Sequence, residues 1–170
     1  LTLDHGVDRI EPLGGDAIVV GTDGTNLRFS SISLETPARA PFVADTYTRR
    51  GASQGELRSH GFFYHPGSGL LGLPVIGGGR SASRQLRRES AAILYLQTDQ
   101  LNFQELGTLD SRAMAGNDGC RASCVDWYGN SRPLFIKGRV FALMGYEIVE
   151  GELRGQRIRE VQRVNYRYSP

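Results

Sequence analysis

RPLFIKGRVFALMGYEIVE, residues 132–150, carries the clearest structural pattern in the chain. An apolar triplet, Leu134 to Ile136, is followed by a Lys137-Gly138-Arg139 turn and a second apolar run, Val140 to Met144. Two hydrophobic runs joined by a tight polar turn predict a β-hairpin. Because both alternating faces of the second run are apolar, this strand is predicted to be buried on both sides within a layered all-β structure.

The same construction occurs twice earlier in the chain. An apolar strand at Ala17–Val20 turns at Asp23–Asn26 into Leu27–Leu34, and Phe62–Tyr64 turns at Pro66–Gly69 into Leu70–Ile76. Further strands are predicted at both ends and in the middle of the chain, over Val7–Leu13, Ala91–Leu96, Leu101–Leu109 and Arg157–Tyr166.

These patterns predict an all-β protein of about ten to twelve strands in three similar units. Helical periodicity competes only at the C-terminal end, where Ile158, Val161 and Val164 are spaced by three. Units of about 40 to 45 residues plus loop insertions are typical of β-propeller blades, with a β-sandwich as the alternative. Residues 1–170 are interpreted as one all-β domain or as the C-terminal blades of a larger propeller.

Composition narrows the functional classes. The chain has 170 residues, 39% of them hydrophobic and 22% charged, which is typical of a soluble globular domain. A net charge of +2 gives no general attraction to nucleic acid or to membranes. No apolar run approaches the roughly 18 residues of a membrane span, so no membrane span is expected. A nucleic-acid partner is not expected either, because the net charge is small.

Two cysteines, Cys120 and Cys124, lie four apart in a segment rich in turn residues, next to the only tryptophan, Trp127. Such a segment can close into a small disulfide loop, which would place the protein in an oxidising compartment. A pair of free thiols is the alternative. The chain starts at Leu1 without an initiator methionine, so a piece of a longer or processed protein is expected.

Two segments carry a family resemblance. RPLFIKGRVFALMGYEIVEG and FFYHPGSGLLGLPV resemble the final blades of the secreted bacterial β-propeller-domain family, whose pattern near the C-terminus is R-x-L-x-I-x-[GD]-x-[VL]-[FY]-[AT]-L. The resemblance covers Phe62 to Glu150. It implies an extracytoplasmic location and a scaffold or binding role, and it supplies no catalytic residues. A closed ring would need more blades than 170 residues supply.

Motifs for catalysis and metal binding are weak. Residues 51–55, GASQG, match the G-x-S-x-G elbow around Ser53, but the following histidines and acid are too close in sequence to build a triad. Glu56, His60 and His65 lack the spacing of a zinc helix, and the two histidines would point to opposite faces of a strand. The chain contains no D-x-D-x-D-G run of the kind that binds calcium. The aspartates near turns are interpreted as acceptors of hydrogen bonds from local backbone N–H groups. No cofactor or metal is therefore predicted.

A basic loop is the one predicted binding site. It holds four arginines within nine residues: Arg80, Arg84, Arg87 and Arg88. Such a cluster can contact phosphate or an acidic partner, although no aromatic residue lies between the arginines to stack on bases. The ordinary interpretation is a solvated loop.

The first functional hypothesis is a non-enzymatic scaffold or protein-interaction module of a secreted β-propeller-like protein. An open set of blades would leave apolar strands uncovered at its ends, so another polypeptide segment or subunit is predicted to cover them. The alternatives are a hydrolase or other enzyme with a site in a propeller funnel completed by residues outside this chain, and a basic-loop binder of anionic polymers.

Overall fold

A computed structural model describes residues 1–34, 39–57, 59–77, 92–112, 131–145 and 147–165. Within these ranges the chain forms thirteen β-strands and one short 3-10 turn at Ser59–Gly61. The strands are β1 Arg9–Leu13, β2 Asp16–Thr22, β3 Leu27–Ser33, β4 Phe42–Arg49, β5 Ala52–Gln54, β6 Phe63–His65, β7 Leu70–Gly77, β8 Ala92–Asp99, β9 Asn102–Asp110, β10 Arg132–Ile136, β11 Arg139–Met144, β12 Glu147–Arg154 and β13 Arg157–Asn165. The prediction of an all-β protein is confirmed.

The strands form three antiparallel sheets that follow one another along the chain. The N-terminal sheet has the order β1-β2-β3-β4, and the C-terminal sheet has the order β10-β11-β12-β13. The middle sheet has the order β5-β7-β8-β9, with β6 pairing the other end of β7. None of the three sheets closes into a barrel.

The hairpin predicted at residues 132–144 is present. Its turn places Lys137 at φ 49° and Gly138 at φ 74°, the left-handed pair that a two-residue hairpin loop requires. Leu134 then lies opposite Phe141, and Phe135 lies opposite Val140.

The sheets pack face to face, with the middle sheet buried on both sides. Leu94 and Leu96 of β8 belong to a core shared with the N-terminal sheet. Ile93 and Tyr95, which alternate with them, belong to a second core shared with the C-terminal sheet. The prediction of a two-sided apolar strand near Ala91–Leu96 is confirmed for the residues that the structure describes.

A glycine permits a close approach between two of the sheets. A Cβ atom on Gly72 of β7 would lie 2.5 Å from the Cβ of Pro133 on β10. A side chain at this position would therefore force the middle and C-terminal sheets apart.

Two features differ from the sequence-based predictions. In β11 only Val140, Ala142 and Met144 are buried, whereas Phe141 and Leu143 on the opposite face are half-buried. The strand β4 was not predicted, and β5 lies where a glycine-rich loop was expected. Both strands are short of buried apolar side chains, so the apolar alternation that reveals a strand is weak there.

Candidate functional site

The predicted site residues lie outside the described part of the chain. Arg80, Arg84, Arg87 and Arg88 fall within residues 78–91, and Cys120 and Cys124 fall within residues 113–130 together with Trp127. The basic binding loop and the disulfide therefore stay predictions.

The G-x-S-x-G segment does not form a nucleophile elbow. Ser53 lies within β5, where it pairs with Ile76 of β7. The next regular element that the structure describes is the 3-10 turn at Ser59–Gly61, whereas the elbow requires an α-helix.

The histidines after Ser53 serve separate local contacts. The Nε2 atom of His60 lies 3.8 Å from Oε2 of Glu56, and Nδ1 of His65 lies 3.0 Å from Oγ of Ser68. Within the described ranges, no group of three or more histidine, cysteine, aspartate or glutamate residues is arranged to hold a metal ion.

Asp23 has the turn role expected of it. Its carboxylate accepts hydrogen bonds from the backbone N–H groups of Thr25 and Asn26 and from the Asn26 side chain. The Asn26 side chain, followed by these two N–H groups, holds the pKa of Asp23 below its ordinary value. The carboxylate therefore serves mainly its own turn, and it also lies 3.7 Å from Nη1 of Arg28.

A buried arginine joins the first strands of the N-terminal and middle sheets. Arg9 of β1 donates from Nε to Oε1 of Gln54 at 2.8 Å and from Nη2 to the carbonyl of Glu56 at 3.0 Å. Burial lowers the pKa of Arg9, and the nearby Glu11 carboxylate opposes this effect. Since these donors are used in bonds between sheets, Arg9 acts as a structural clamp.

Aromatic rings line the edge of the middle and C-terminal sheets at which the first strands of these sheets lie. The rings of Phe63 and Phe135 stack with centroids 5.1 Å apart, and His65 stacks on Phe135 at 6.1 Å. Tyr95 meets Phe135 edge-on and donates its hydroxyl hydrogen to the carbonyl of Phe141 at 2.9 Å. These contacts fix the first strands of the two sheets against each other.

A buried carboxylate fixes the opposite edge of the same two sheets. Glu147 is 2% exposed and accepts from Nη1 of Arg163 at 2.8 Å, from Oγ of Ser111 at 2.9 Å and from the backbone N–H of Arg112 at 2.9 Å. The role of a buried charge that is paired and hydrogen-bonded in this way is structural.

The outer face of the C-terminal sheet, which points away from the middle sheet, is the strongest candidate for a binding surface. Cross-strand partners share a face, so the register defines its members. The apolar ones are Leu134, Ile136, Phe141, Leu143, Ile148 and Val164. Ile136 remains 51% exposed and Val164 50% exposed. The outer face therefore presents contiguous apolar side chains that are not fully buried.

Basic residues flank this apolar area. The charged members of the outer face are Arg132, Arg139, Arg154, Arg157, Arg159, Glu150 and Glu152. Five arginines against two glutamates leave a formal excess of three positive charges on the face. Glu150 binds both Nε and Nη2 of Arg139, whose guanidinium lies 4.9 Å from the ring centroid of Phe141. This ion pair raises the pKa of Arg139 and lowers the pKa of Glu150.

The outer face of the N-terminal sheet has a different character. Ser30 of β3 is fully buried there and bonds to Nε2 of His5 at 2.8 Å and to Oγ1 of Thr46 at 3.0 Å. A Cβ on Gly21 would lie 1.8 Å from the carbonyl oxygen of Gly6, so the N-terminal segment passes directly over this sheet. Polar contacts within the chain occupy the part of this face around Ser30 and Gly21, whereas Ile10, which lies opposite Val19 on the same face, is 64% exposed.

Some of these residues carried a signal in the sequence. Arg9 and Glu11 alternate within the predicted strand Val7–Leu13, and charges two apart on a strand share one face. The outer face could not be recognised, because the apolar residues of both faces of β11 were assigned to the core.

No helix within the described ranges is long and apolar enough to cross a membrane.

In comparisons with known proteins, the chain matched no family model, no curated protein and no solved structure. The resemblance to the secreted bacterial β-propeller-domain family accordingly stays a prediction.

Proposed function

We propose that this chain is a non-catalytic protein-interaction module of an extracytoplasmic β-propeller-type scaffold, and that its outer face holds another polypeptide segment or subunit. One observation carries the proposal: the C-terminal sheet is apolar on both faces, and only one of them packs on the middle sheet. Contiguous exposed apolar surface typically marks an interaction site.

The arrangement of the sheets supports a propeller over a sandwich. Each sheet follows the chain order of its strands, with β5 and β6 together in the first-strand position of the middle sheet. Propellers are built from four-stranded blades of this kind, packed face to face. A sandwich has two layers, whereas the two cores of this chain join three.

An enzyme with a funnel site is the second candidate, and the polar edge around Arg9 is the observation that favours it. In a propeller this edge would face the central channel. The bonds of Arg9 to Gln54 and Glu56 engage donors that a substrate would need, which favours the interaction module.

The extracytoplasmic part of the proposal rests on the predicted disulfide between Cys120 and Cys124. We expect neither thiol to react when the folded protein is alkylated without reductant, and both to react after reduction. Mass spectrometry of the alkylated chain gives the count. Labelling of both thiols before reduction would remove this argument for the location.

A photo-cross-linking amino acid tests the interaction role. It is placed at Ile136, on the outer face, and in a separate variant at Leu57, an exposed apolar residue away from that face. In cells that produce the protein, we expect an adduct of one discrete mass from position 136 and none of that mass from position 57. The same adducts from both positions, or none from position 136, would contradict the proposed function.

A further inference from the structure

We propose that the occupant of the outer face is a second antiparallel β-sheet with an apolar centre and an acidic flank, carried by another polypeptide segment. This inference rests on the proposed function, because it names the chemical class of partner that the same surface accepts.

The shape of the face indicates a sheet. It is a four-stranded surface of half-buried aliphatic and aromatic side chains, of the same kind as the surfaces that the chain joins in its own two cores. Sheets pack face to face through such alternating side chains.

The charge of the face indicates an acidic flank. Two of its five arginines are paired on the face, Arg139 with Glu150 and Arg154 with Glu152. Arg132, Arg157 and Arg159 form no ion pair with the described residues. Complementary charge across an interface selects the partner and speeds association.

The same charge disfavours an identical copy of this chain. In a symmetric dimer the outer faces of both copies would meet, and each would bring its excess of positive charge. Like charges brought together across an interface oppose association. The outer face of the N-terminal sheet of another copy offers no acidic flank either, since the charged residue among its strand-paired members is Arg28.

A charge-altered copy of this chain can serve as the probe. Arg132→Glu with Arg157→Glu converts five arginines and two glutamates on the face into three arginines and four glutamates. Both arginines are exposed; Arg132 lies opposite Leu143 and Arg157 opposite Arg154, so neither new carboxylate meets another acid across the strands. The matched control, Arg39→Glu with Arg50→Glu, changes the net charge equally at exposed sites away from the face.

The test is sedimentation equilibrium of the wild-type chain mixed with each variant at low salt. We expect the wild type to bind the Arg132→Glu/Arg157→Glu variant about fivefold more tightly than it binds itself, since two exposed charge contacts across the interface change from repulsive to attractive. High salt should remove most of this difference. Ile136→Gln in the wild-type partner should weaken the pairing, whereas Leu57→Gln should not. Thermal unfolding of every variant verifies that it is folded.

The remaining outcomes separate the two proposals. If wild-type chains pair with each other as tightly as with the variant, or if the Arg39→Glu/Arg50→Glu control pairs equally well, the acidic partner is wrong while the interaction surface stands. If no mixture associates in a way that depends on Ile136, both the acidic partner and the proposed interaction surface are wrong.

Discussion

Single charged residues fasten this protein where the apolar contacts between sheets end. Arg9 clamps the first strands of two sheets, and Glu147 with Arg163 secures the opposite edge of the next pair. Removing one partner of such a buried group leaves the other without compensation and costs more than an exposed pair contributes. These residues therefore position the sheets.

At the scale of a single residue, we expect Asp23 to make the free energy of unfolding depend on pH. Its folded-state pKa lies below the ordinary value of 3.8, so the stabilisation is present above that value and is lost as the pH falls through the folded-state pKa. We expect Asp23→Asn to lower the free energy of unfolding near neutral pH, and we expect the difference from wild type to disappear in strong acid. Urea unfolding over a pH series checks this.

The matched control for Asp23 is Asp99→Asn in another hairpin turn. The Asp99 carboxylate makes no hydrogen bond to the described residues, and only its backbone carbonyl accepts one, from Asn102. An equal pH-dependent loss in both variants would contradict the assignment to the Asp23 turn.

The hydrogen bond of Tyr95 allows the strength of one contact between the middle and C-terminal sheets to be measured. Tyr95→Phe removes the hydrogen bond to the carbonyl of Phe141, and we expect a loss of about 1 kcal/mol in the free energy of unfolding. Burial raises the pKa of Tyr95, so its contribution is present below the unfolded pKa of about 10 and is lost as the pH rises through the folded-state pKa. Urea unfolding measures the change, with Tyr64→Phe on the opposite face as control. An equal loss in Tyr64→Phe would show that the bond to Phe141 is not its cause.

At the scale of elements, the sequence predicted strands wherever apolar residues alternate or cluster between turn residues. The hairpins around Lys137–Gly138 and Asp23–Asn26 and the two-sided β8 follow from local patterns. The strand β4 escaped detection because Asp45 and Thr46 interrupt its apolar residues, and their hydrogen bonds to Ser31 and Ser30 come from a neighbouring strand. The pairing that makes β4 a strand is therefore tertiary.

The two faces of β11 predict different responses to the same change. Ala142 is fully buried against the middle sheet, whereas Phe141 lies half-buried on the outer face. We expect Ala142→Asp to unfold the protein, because burying an unpaired carboxylate costs several kcal/mol. We expect Phe141→Asp to leave a folded protein with a lowered melting temperature.

Circular dichroism on heating distinguishes these two variants. Equal destabilisation would mean that both faces of β11 are buried, as the alternation in the sequence indicated. The outer face would then be core, and the proposed interaction surface would be wrong.

At the scale of the whole molecule, three sheets stack around two cores, and the two ends of the stack differ. At the N-terminal end, His5 and Gly6 of the chain itself cover the area around Ser30 and Gly21, and the exposed Ile10 lies beside it. The C-terminal end presents the apolar and basic outer face. The sequence indicated that open ends need a cover, but the difference between the ends depends on which strand faces the middle sheet, and a local pattern does not contain this information.

Sedimentation velocity of the wild-type chain alone, at increasing salt and protein concentration, shows whether the outer face tends to be covered. We predict that the chain is mainly a monomer of 18.7 kDa at low salt and that its weak, reversible self-association increases at high salt. The reason is that salt reduces the range of charge repulsion from roughly 30 Å at 0.01 M to about 3 Å at 1 M, while the apolar area remains. Ile136→Gln should reduce this association, and Leu57→Gln should not. A monodisperse monomer under every condition would contradict the account, because it would mean that the outer face has no tendency to be covered.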